Sequence, residues 1–138
     1  MRNLLLKGLG AASVIGILAA VTVPAEATDV RAQIPFSFSV SQKSLPPGTY
    51  TVSSTGASAL MIRGTSGGGA VSLSQAMQNA NQQGAKLVFH RYGDQYVLRE
   101  VWSGSQGRKL PEPKLERELI ARNGVASMQV VEVSIPTL

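Results

Sequence analysis

The chain has 138 residues, of which 43% are hydrophobic and 15% are charged, a composition typical of one folded domain. The absence of cysteine excludes disulfide bonds, thiolate zinc sites, cysteine nucleophiles and a lipidated N-terminal cysteine. A single histidine excludes a histidine-rich metal site. The formal net charge of +5 would suit an anionic envelope polymer or lipid head group, but we interpret it as ordinary solubility.

The N-terminal segment has the order of a secretory signal. Arg2 and Lys7 precede an uncharged apolar run that ends near Val23, and Ala25-Glu26-Ala27 follows. This order predicts a signal peptide over residues 1–27, cleaved after Ala27, and a single β-rich domain over residues 28–138. An uncleaved membrane anchor is the alternative, although a span requires about 20 apolar residues. We therefore expect a protein of the periplasm or the extracellular medium.

The first half of the domain predicts short strands joined by turns. Apolar residues alternate with others along 34–40, which predicts a half-buried strand, although Pro35 restricts that strand to an edge or to its opening. The turn at Leu45–Gly48 and a strand over 49–52 complete a predicted hairpin. Further strands are predicted over 59–63 and 70–77, the second with Val71, Leu73 and Met77 in phase.

The glycine-rich run 64–69 separates those two predicted strands. A phosphate-binding loop would continue with Lys and Ser or Thr and then a helix, whereas Ala70-Val71 begins a strand here. The run is therefore interpreted as a flexible connection.

The strongest local signal is a hairpin over 86–102 with Gly93-Asp94 as a two-residue turn. It predicts that Tyr92 pairs with Gln95 and Phe89 with Leu98. The face richer in aromatic residues is the predicted core face, and it holds Leu87, Phe89, Arg91, Tyr96, Leu98, Glu100 and Trp102. The other face holds Lys86, Val88, His90, Val97, Arg99 and Val101. A buried Glu100 is costly unless it is paired, so either a basic group meets it or the register differs.

A helix is predicted over 114–122, with Pro113 in its first turn and Asn123-Gly124 ending it. Glu112, Glu116 and Glu118 are interpreted as a solvated helix surface. A last strand is predicted over 125–135. About seven strands and one short helix in the C-terminal half predict an all-β, mostly antiparallel fold, either a compact barrel or a sandwich.

Four runs carry a resemblance to small uncharacterised secreted proteins of soil bacteria. They are 34–38, 45–50, 86–94 and 116–119, and the hairpin run is the most specific of them. The resemblance implies an exported bacterial protein with one domain. It implies no activity, ligand or catalytic residue.

The sequence predicts no catalytic constellation, cofactor site or metal site. His90 is the one imidazole, Asp94 falls at a turn, and no serine lies in a G-x-S-x-G elbow. We interpret His90 as a strand histidine that contacts Val97. Glu100 and Glu132 remain as a weak carboxylate pair for glycosidase chemistry.

Aromatic and basic residues on the hairpin raise two binding hypotheses. A stacking platform for single-stranded nucleic acid is disfavoured by the predicted export, so no nucleic acid partner is expected. A small amphiphilic or carbohydrate ligand in a barrel mouth, or an anionic envelope component, fits better, with Tyr96 and Trp102 as walls and His90 nearby. The alternative is that these side chains fill a solid core and the protein acts structurally, through its surface or a strand edge.

Overall fold

A computed structural model describes residues 29–135, so the predicted signal peptide 1–27 and its cleavage site after Ala27 lie outside the described residues. Within the described range the chain forms eleven strands, one α-helix and one short 3-10 helix. The strands are β1 (Asp29–Ile34), β2 (Phe38–Val40), β3 (Lys43–Leu45), β4 (Gly48–Ser54), β5 (Ala59–Gly64), β6 (Gly69–Leu73), β7 (Gln75–Gln78), β8 (Ala85–Tyr92), β9 (Gln95–Ser103), β10 (Gln106–Lys109) and β11 (Gln129–Ile135). The helix α1 spans Lys114–Asn123, and the 3-10 helix spans Val125–Ser127.

The strands build two sheets that curl into a half-barrel. The first sheet has the order β1-β4-β5-β6 and is antiparallel throughout. The second has the order β11-β8-β9-β10-β7, and the β2–β3 hairpin joins it through one parallel pairing of Ser39 with Val97. The predicted fold class, a mostly antiparallel β-domain with one short helix in the C-terminal half, is confirmed. Eleven strands form in residues 29–135 where about seven were predicted, because two predicted strands are each divided between the sheets and because β3 and β10 were not predicted.

One core lies between the two sheets, and strict alternation brings side chains to it. In β1, Val30, Ala32 and Ile34 are buried whereas Asp29, Arg31 and Gln33 are exposed, as the period of two requires. The first sheet also contributes Tyr50, Val52, Leu60 and Ile62, and the second contributes Phe38, Val40, Leu45, Leu87, Phe89, Leu98 and Val101. Val131, Val133 and Ile135 occupy alternate positions of β11 and pack against this core.

The predicted strand 34–40 is divided at Pro35. Ile34 ends β1, and the chain resumes as β2 at Phe38 in the other sheet. Proline has no N–H to donate to a ladder, so the strand cannot continue through it. The partner of β4 is therefore the segment 29–34, with Ile34 opposite Gly48, and not the segment 34–40.

The predicted strand 70–77 is divided at Ser74 into β6 and β7, which belong to different sheets. The phase expected for its apolar residues is also reversed in β6. Ser72 is buried, whereas the side chains of Val71 and Leu73 are 61% and 69% exposed. The alternation of side chains holds, but the serine occupies the inward face.

The β8–β9 hairpin has the predicted register near its turn. Tyr92 lies opposite Gln95 and Phe89 opposite Leu98, and Gly93 has the positive φ of 63° that the first position of a II′ turn requires. Beyond Leu98 the prediction is wrong, because a β-bulge leaves Arg99 without a partner and places Glu100 opposite Val88.

The bulge exchanges the faces of the residues that follow it. Val101 enters the main core, whereas Glu100 and Trp102 lie on the other face with Val88 and Lys86. Glu100 is half-buried there and accepts a hydrogen bond of 2.8 Å from the indole Nε1 of Trp102. Glu100 was predicted on the core face because the predicted register did not include the bulge. Of the two alternatives, the different register is therefore correct, and no basic partner within residues 29–135 meets Glu100 there.

The helix α1 covers the outer face of the second sheet. Leu119 packs there with Tyr92 and Val97, and Leu115 and Ile120 flank it. Gly124 ends the helix with a φ of 84°, and its N–H donates to the carbonyl of Ile120 at 2.7 Å. In residues 29–135 no helix is both long and apolar enough to cross a membrane.

Candidate functional site

A cleft opens between the two sheets and has a volume of about 210 Å³. Its apolar lining comes from four buried residues of both sheets, Val30, Val52, Leu60 and Val101, together with the half-buried Met77. These residues line the cleft because β1, β4 and β5 face β7, β9 and β10 across the core. The lining that the structure describes is aliphatic, with a thioether and without an aromatic ring.

Polar groups occupy the rim of the cleft. Ser54, Gln78, Ser103, Gln106 and Arg108 all contribute to its lining. The Nη1 atom of Arg108 donates to the backbone carbonyl of Ala57 and lies 3.5 Å from the hydroxyl of Ser74. The described ion pairs do not include Arg108. A neutral carbonyl anchors this guanidinium without cancelling its charge, so the rim presents a positive charge beside an apolar floor.

Trp102 does not line this cleft, but it contacts the strand that does. A Cβ atom added to Gly107 would lie 2.5 Å from Cε3 of the indole, so glycine is needed where the ring packs on β10. Gly107 and Val101, which precedes Trp102, both line the cleft. The indole therefore lies behind the cleft wall, on the opposite face of the second sheet.

The other two residues predicted as ligand contacts lie elsewhere. Tyr96 stacks on Phe36 with ring centroids 3.8 Å apart, and the guanidinium of Arg91 lies 5.4 Å from the Tyr96 centroid. His90 lies beneath α1. The structure thus does not bring Tyr96, Trp102 and His90 together at the cleft, and their role as ligand contacts stays a prediction.

His90 belongs to a buried polar cluster around Glu116, which we call the helix clamp and which comprises Glu116, His90, Tyr92 and Arg99. One carboxylate oxygen of Glu116 lies 2.5 Å from Nδ1 of His90 and 2.6 Å from the hydroxyl of Tyr92. The other accepts a hydrogen bond of 2.8 Å from Nη1 of Arg99. Glu116 is only 1% exposed, so its interpretation as part of a solvated helix surface is wrong.

Alternation along β9 explains why Arg99 reaches the clamp. Arg99 lies two positions after Val97, so its side chain lies on the same face, toward α1, and its carbonyl accepts from the N–H of Leu110 at 2.8 Å. Its Nε donates to the carbonyl of Leu110 at 3.3 Å, which anchors the guanidinium a second time. Arg99 is 8% exposed, and such a burial of charge requires a paired carboxylate.

The electrostatics of the clamp favour an ionised Glu116. Burial by itself raises the pKa of Glu116, but hydrogen bonds from Tyr92 and His90 and the charge of Arg99 outweigh it, so the pKa lies below its usual value. Burial and the hydrogen bond to this carboxylate raise the pKa of Tyr92 above its usual value. With the carboxylate ionised, Nδ1–H of His90 donates to it.

The clamp therefore fastens α1 to the second sheet. None of its four residues lines the cleft, and it joins one helix to two neighbouring strands. The structure thus gives His90 a carboxylate partner where the sequence analysis expected only Val97. Glu116 precedes Leu119 by three positions and so shares its helix face, a signal that could have indicated burial.

The two carboxylates considered as a glycosidase pair each have another partner. Glu100 is bonded to Trp102, and Glu132 pairs with Lys86 at 2.8 Å. The part of the chain that the structure describes contains no group of three or more side chains suited to hold a metal ion.

No family model, curated protein or solved structure matches this chain.

Proposed function

We propose that this chain is an exported, non-catalytic β-protein that binds a small anionic amphiphile in the cleft between its sheets. The observation that supports this proposal best is the combination of an aliphatic floor with the guanidinium of Arg108 at the rim. A largely preformed apolar pocket with a few polar groups is the usual form of a small-ligand site.

The size and lining of the cleft favour a thin aliphatic group. Its volume of about 210 Å³ is below the range of roughly 300–1,000 Å³ that drug-sized ligands occupy. Val52, Leu60 and Val101 present methyl groups, which suit an acyl chain better than a sugar ring. A carbohydrate is therefore the weaker of the two ligand classes expected from the sequence.

The rim favours a negatively charged head group. Arg108 offers planar N–H donors to a carboxylate or a phosphate, and its anchoring to the carbonyl of Ala57 holds the guanidinium at the rim. Ser54 and Ser103 add hydroxyl groups to the same lining. Lipid-derived acids of a bacterial envelope combine these two features, and the predicted signal peptide would bring the protein to them.

A second function, association through a strand edge, is favoured by one specific observation. The outer edge of β6 joins no ladder within residues 29–135, and apolar side chains are exposed beside it. Such an edge is a template for pairing with another strand.

The first experiment is to purify the protein from the periplasm or medium and compare its native and denatured masses. A denatured mass that begins at Thr28 is expected from the predicted cleavage. Extra native mass that disappears on denaturation would identify a carried ligand. A full-length chain in the membrane fraction would contradict the proposed export.

The second experiment titrates the ligand-free protein with hexanoate, octanoate and decanoate, followed by Trp102 emission and by calorimetry. Octanol serves as a neutral probe of the same length. Arg108→Gln should weaken octanoate binding about tenfold and leave octanol binding unchanged, because it removes the guanidinium that a carboxylate requires and a neutral alcohol does not.

The matched control is Arg122→Gln, which removes a positive charge from the exposed end of α1. It should leave both titrations unchanged. Equal effects of the two substitutions would indicate general attraction by net charge and contradict a site at Arg108. Absence of binding by every probe, in the protein freed of any carried ligand, would contradict the cleft as an amphiphile site.

A further inference from the structure

The charges of this chain are distributed unevenly along it. The stretch between Asp29 and Asp94 contains no aspartate or glutamate, but it carries Arg31, Lys43, Arg63, Lys86 and Arg91. Apart from Asp29, every acidic residue of the described range lies at or after the Gly93-Asp94 turn, in the second sheet, α1 and their connections. Such an asymmetry favours an anionic partner, either a nucleic acid or a membrane surface.

The register of the first sheet places two arginines on its outward face. Thr51 lies opposite Arg31 of β1 and opposite Arg63 of β5, so the three side chains form one row across three strands. The adjacent residues Val52 and Ile62 are buried, and the row therefore faces away from the core. Neighbouring strands are about 4.8 Å apart, which separates the backbones of the two arginines by about 10 Å. Both arginines are exposed, and the described ion pairs include neither.

Apolar side chains adjoin Arg63 on the same outward face. Val71 and Leu73 of β6 are 61% and 69% exposed. Val71 lies opposite Met61, and the guanidinium of Arg63 lies against Met61, with Nη2 3.1 Å from Sδ. The positive charge of Arg63 is thus next to exposed apolar surface and not next to a carboxylate.

An open cavity of about 640 Å³ adds a third cation to this region. Arg63, Gly69 and Val71 of the first sheet line it on one side, and Lys43, which is exposed on β3, lines it on the other. The lining that the structure describes contains no carboxylate. The cavity therefore gives an anionic group space between a guanidinium and an ammonium group.

One acidic residue lies on the outward face of the described part of this sheet. Asp29 begins β1, and it shares a row with Ser53, Met61 and Val71. It lies at the opposite edge of the sheet, three strands and roughly 14 Å from Val71. The part of the face that β5 and β6 form therefore carries positive charge only.

We propose that the outward face of the first sheet binds the surface of an anionic lipid bilayer. We call this surface the docking face, and it comprises Arg31, Lys43, Arg63, Val71 and Leu73. The three basic side chains contact the phosphate groups of the lipids, and the two apolar ones enter the boundary between head groups and acyl chains. The proposal is independent of ligand binding in the cleft, because the cleft lies on the inner face of this sheet.

The combination of cations with exposed apolar side chains favours a bilayer over other partners. Anionic head groups attract basic side chains, and an exposed apolar side chain gains by leaving water at the lipid boundary. A soluble polyanion would pair with the arginines but would leave Val71 and Leu73 in water. A second copy of this chain has the same formal net charge of +5 and is repelled.

Co-sedimentation of the purified protein with lipid vesicles tests the partner. One set of vesicles contains equal amounts of phosphatidylglycerol and phosphatidylcholine, and the other contains phosphatidylcholine alone. The protein should bind the anionic vesicles and not the neutral ones, and added salt should weaken the binding. Arg63→Gln should weaken it about fivefold. The matched control Arg122→Gln removes the same charge from the exposed end of α1 and should leave binding nearly unchanged.

A fluorophore identifies the face that meets the bilayer, because the chain has no cysteine of its own. Val71→Cys, labelled with an environment-sensitive dye, should show blue-shifted emission when anionic vesicles are added. Val130→Cys, an exposed valine on β11 of the second sheet, is the matched control and should show no shift. Val71→Ser should weaken vesicle binding about fivefold, because it removes apolar contact, whereas Val130→Ser should not.

Four results would overturn the proposal. The first is no binding to the anionic vesicles, and the second is a dye at residue 130 that shifts as much as one at residue 71. The third is vesicle binding that neither Arg63→Gln nor Val71→Ser weakens, which would indicate lipid uptake by the cleft alone. The fourth is binding of dextran sulfate as tight as that of vesicles, weakened by Arg63→Gln but not by Val71→Ser, which would assign the face to soluble polyanions.

Discussion

The region around α1 and the region around β6 are stabilised in opposite ways. On the outer face of the second sheet, α1 is held by the helix clamp, in which a buried carboxylate receives three polar partners. Around β6 and the cleft, the chain from Gly64 to Ala85 carries no charge, and apolar groups remain exposed. In the helix clamp the polar groups bond to one another. In the segment from Gly64 to Ala85, apolar side chains and backbone groups remain accessible to other molecules.

This difference indicates where binding belongs. A satisfied, buried network fixes one arrangement of helix and sheet and offers no group to a partner. The cleft leaves apolar surface unfilled beside Arg108, which is held by a carbonyl, and the side chains of Val71 and Leu73 are exposed on β6. Substitutions in the clamp should therefore alter stability, and substitutions around the cleft and β6 should alter binding.

Breaking the clamp is expected to have the largest effect. Glu116→Gln removes the one charge that compensates Arg99, which is 8% exposed. A buried charge left without its partner costs about 3–5 kcal/mol of the free energy of unfolding. Urea denaturation followed by circular dichroism measures it. Glu118→Gln, exposed on the same helix, should cost less than about 0.5 kcal/mol, and equal losses would contradict the clamp.

Acid should also destabilise the clamp, because the pKa of Glu116 is lowered in the folded protein. Because the folded pKa is below the unfolded one, this carboxylate contributes its full stability above the unfolded value of about 4.5. That contribution decreases as the pH falls through the folded pKa. Unfolding free energies measured from neutral to acidic pH should therefore fall less steeply in Glu116→Gln than in the unmodified protein. Parallel curves for the two proteins would show that the carboxyl titrates equally in both states.

The sequence predicts the clamp poorly and the hairpin well, for one physical reason. The Gly93-Asp94 turn is a local signal, so the pairings from Tyr92 with Gln95 to Phe89 with Leu98 follow from it. The alternation also places His90 and Arg99 on one face, but their partner Glu116 lies on α1, which is distant in the chain, and the bulge at Arg99 has no local signal. The face exchange of Val101 and Trp102 could not be predicted from the alternation alone.

The candidate site also depends on contacts between residues that are distant in the chain, which the sequence does not predict. Pro35 was identified as unsuited to a strand interior, but which sheet Phe38 joins beyond it depends on packing. The cleft is assembled from β4 and β5 on one side and β7 and β10 on the other, so no motif or spacing connects Leu60 with Arg108. The exposure of Val71 and Leu73 also reverses the ordinary expectation that apolar strand residues face inward.

The wall of the cleft provides a smaller test of how closely its strands pack. Gly107→Ala places a Cβ atom 2.5 Å from the Trp102 ring, so β10 or the indole must shift. We expect a loss of about 1–3 kcal/mol of unfolding free energy and a change in Trp102 emission. In a Trp102→Phe background the loss should shrink, because the smaller ring leaves room. An undiminished loss there would place the cause in the backbone of β10 and not in the indole contact.

Breaking the exposed ion pair between Lys86 and Glu132 should have the smallest effect on the free energy of unfolding. The pair therefore serves as a comparison for the buried clamp. Its atoms lie 2.8 Å apart, as in the clamp, but the side chains are 20% and 50% exposed. Water and salt screen such a pair, so Glu132→Gln should cost less than about 1 kcal/mol, and this cost should vanish at high salt. Urea denaturation at low and high ionic strength measures both effects. A loss as large as that of Glu116→Gln would mean that burial does not distinguish the two pairs. The expected result, equal distances with unequal energies, would assign the strength of the clamp to its exclusion of water.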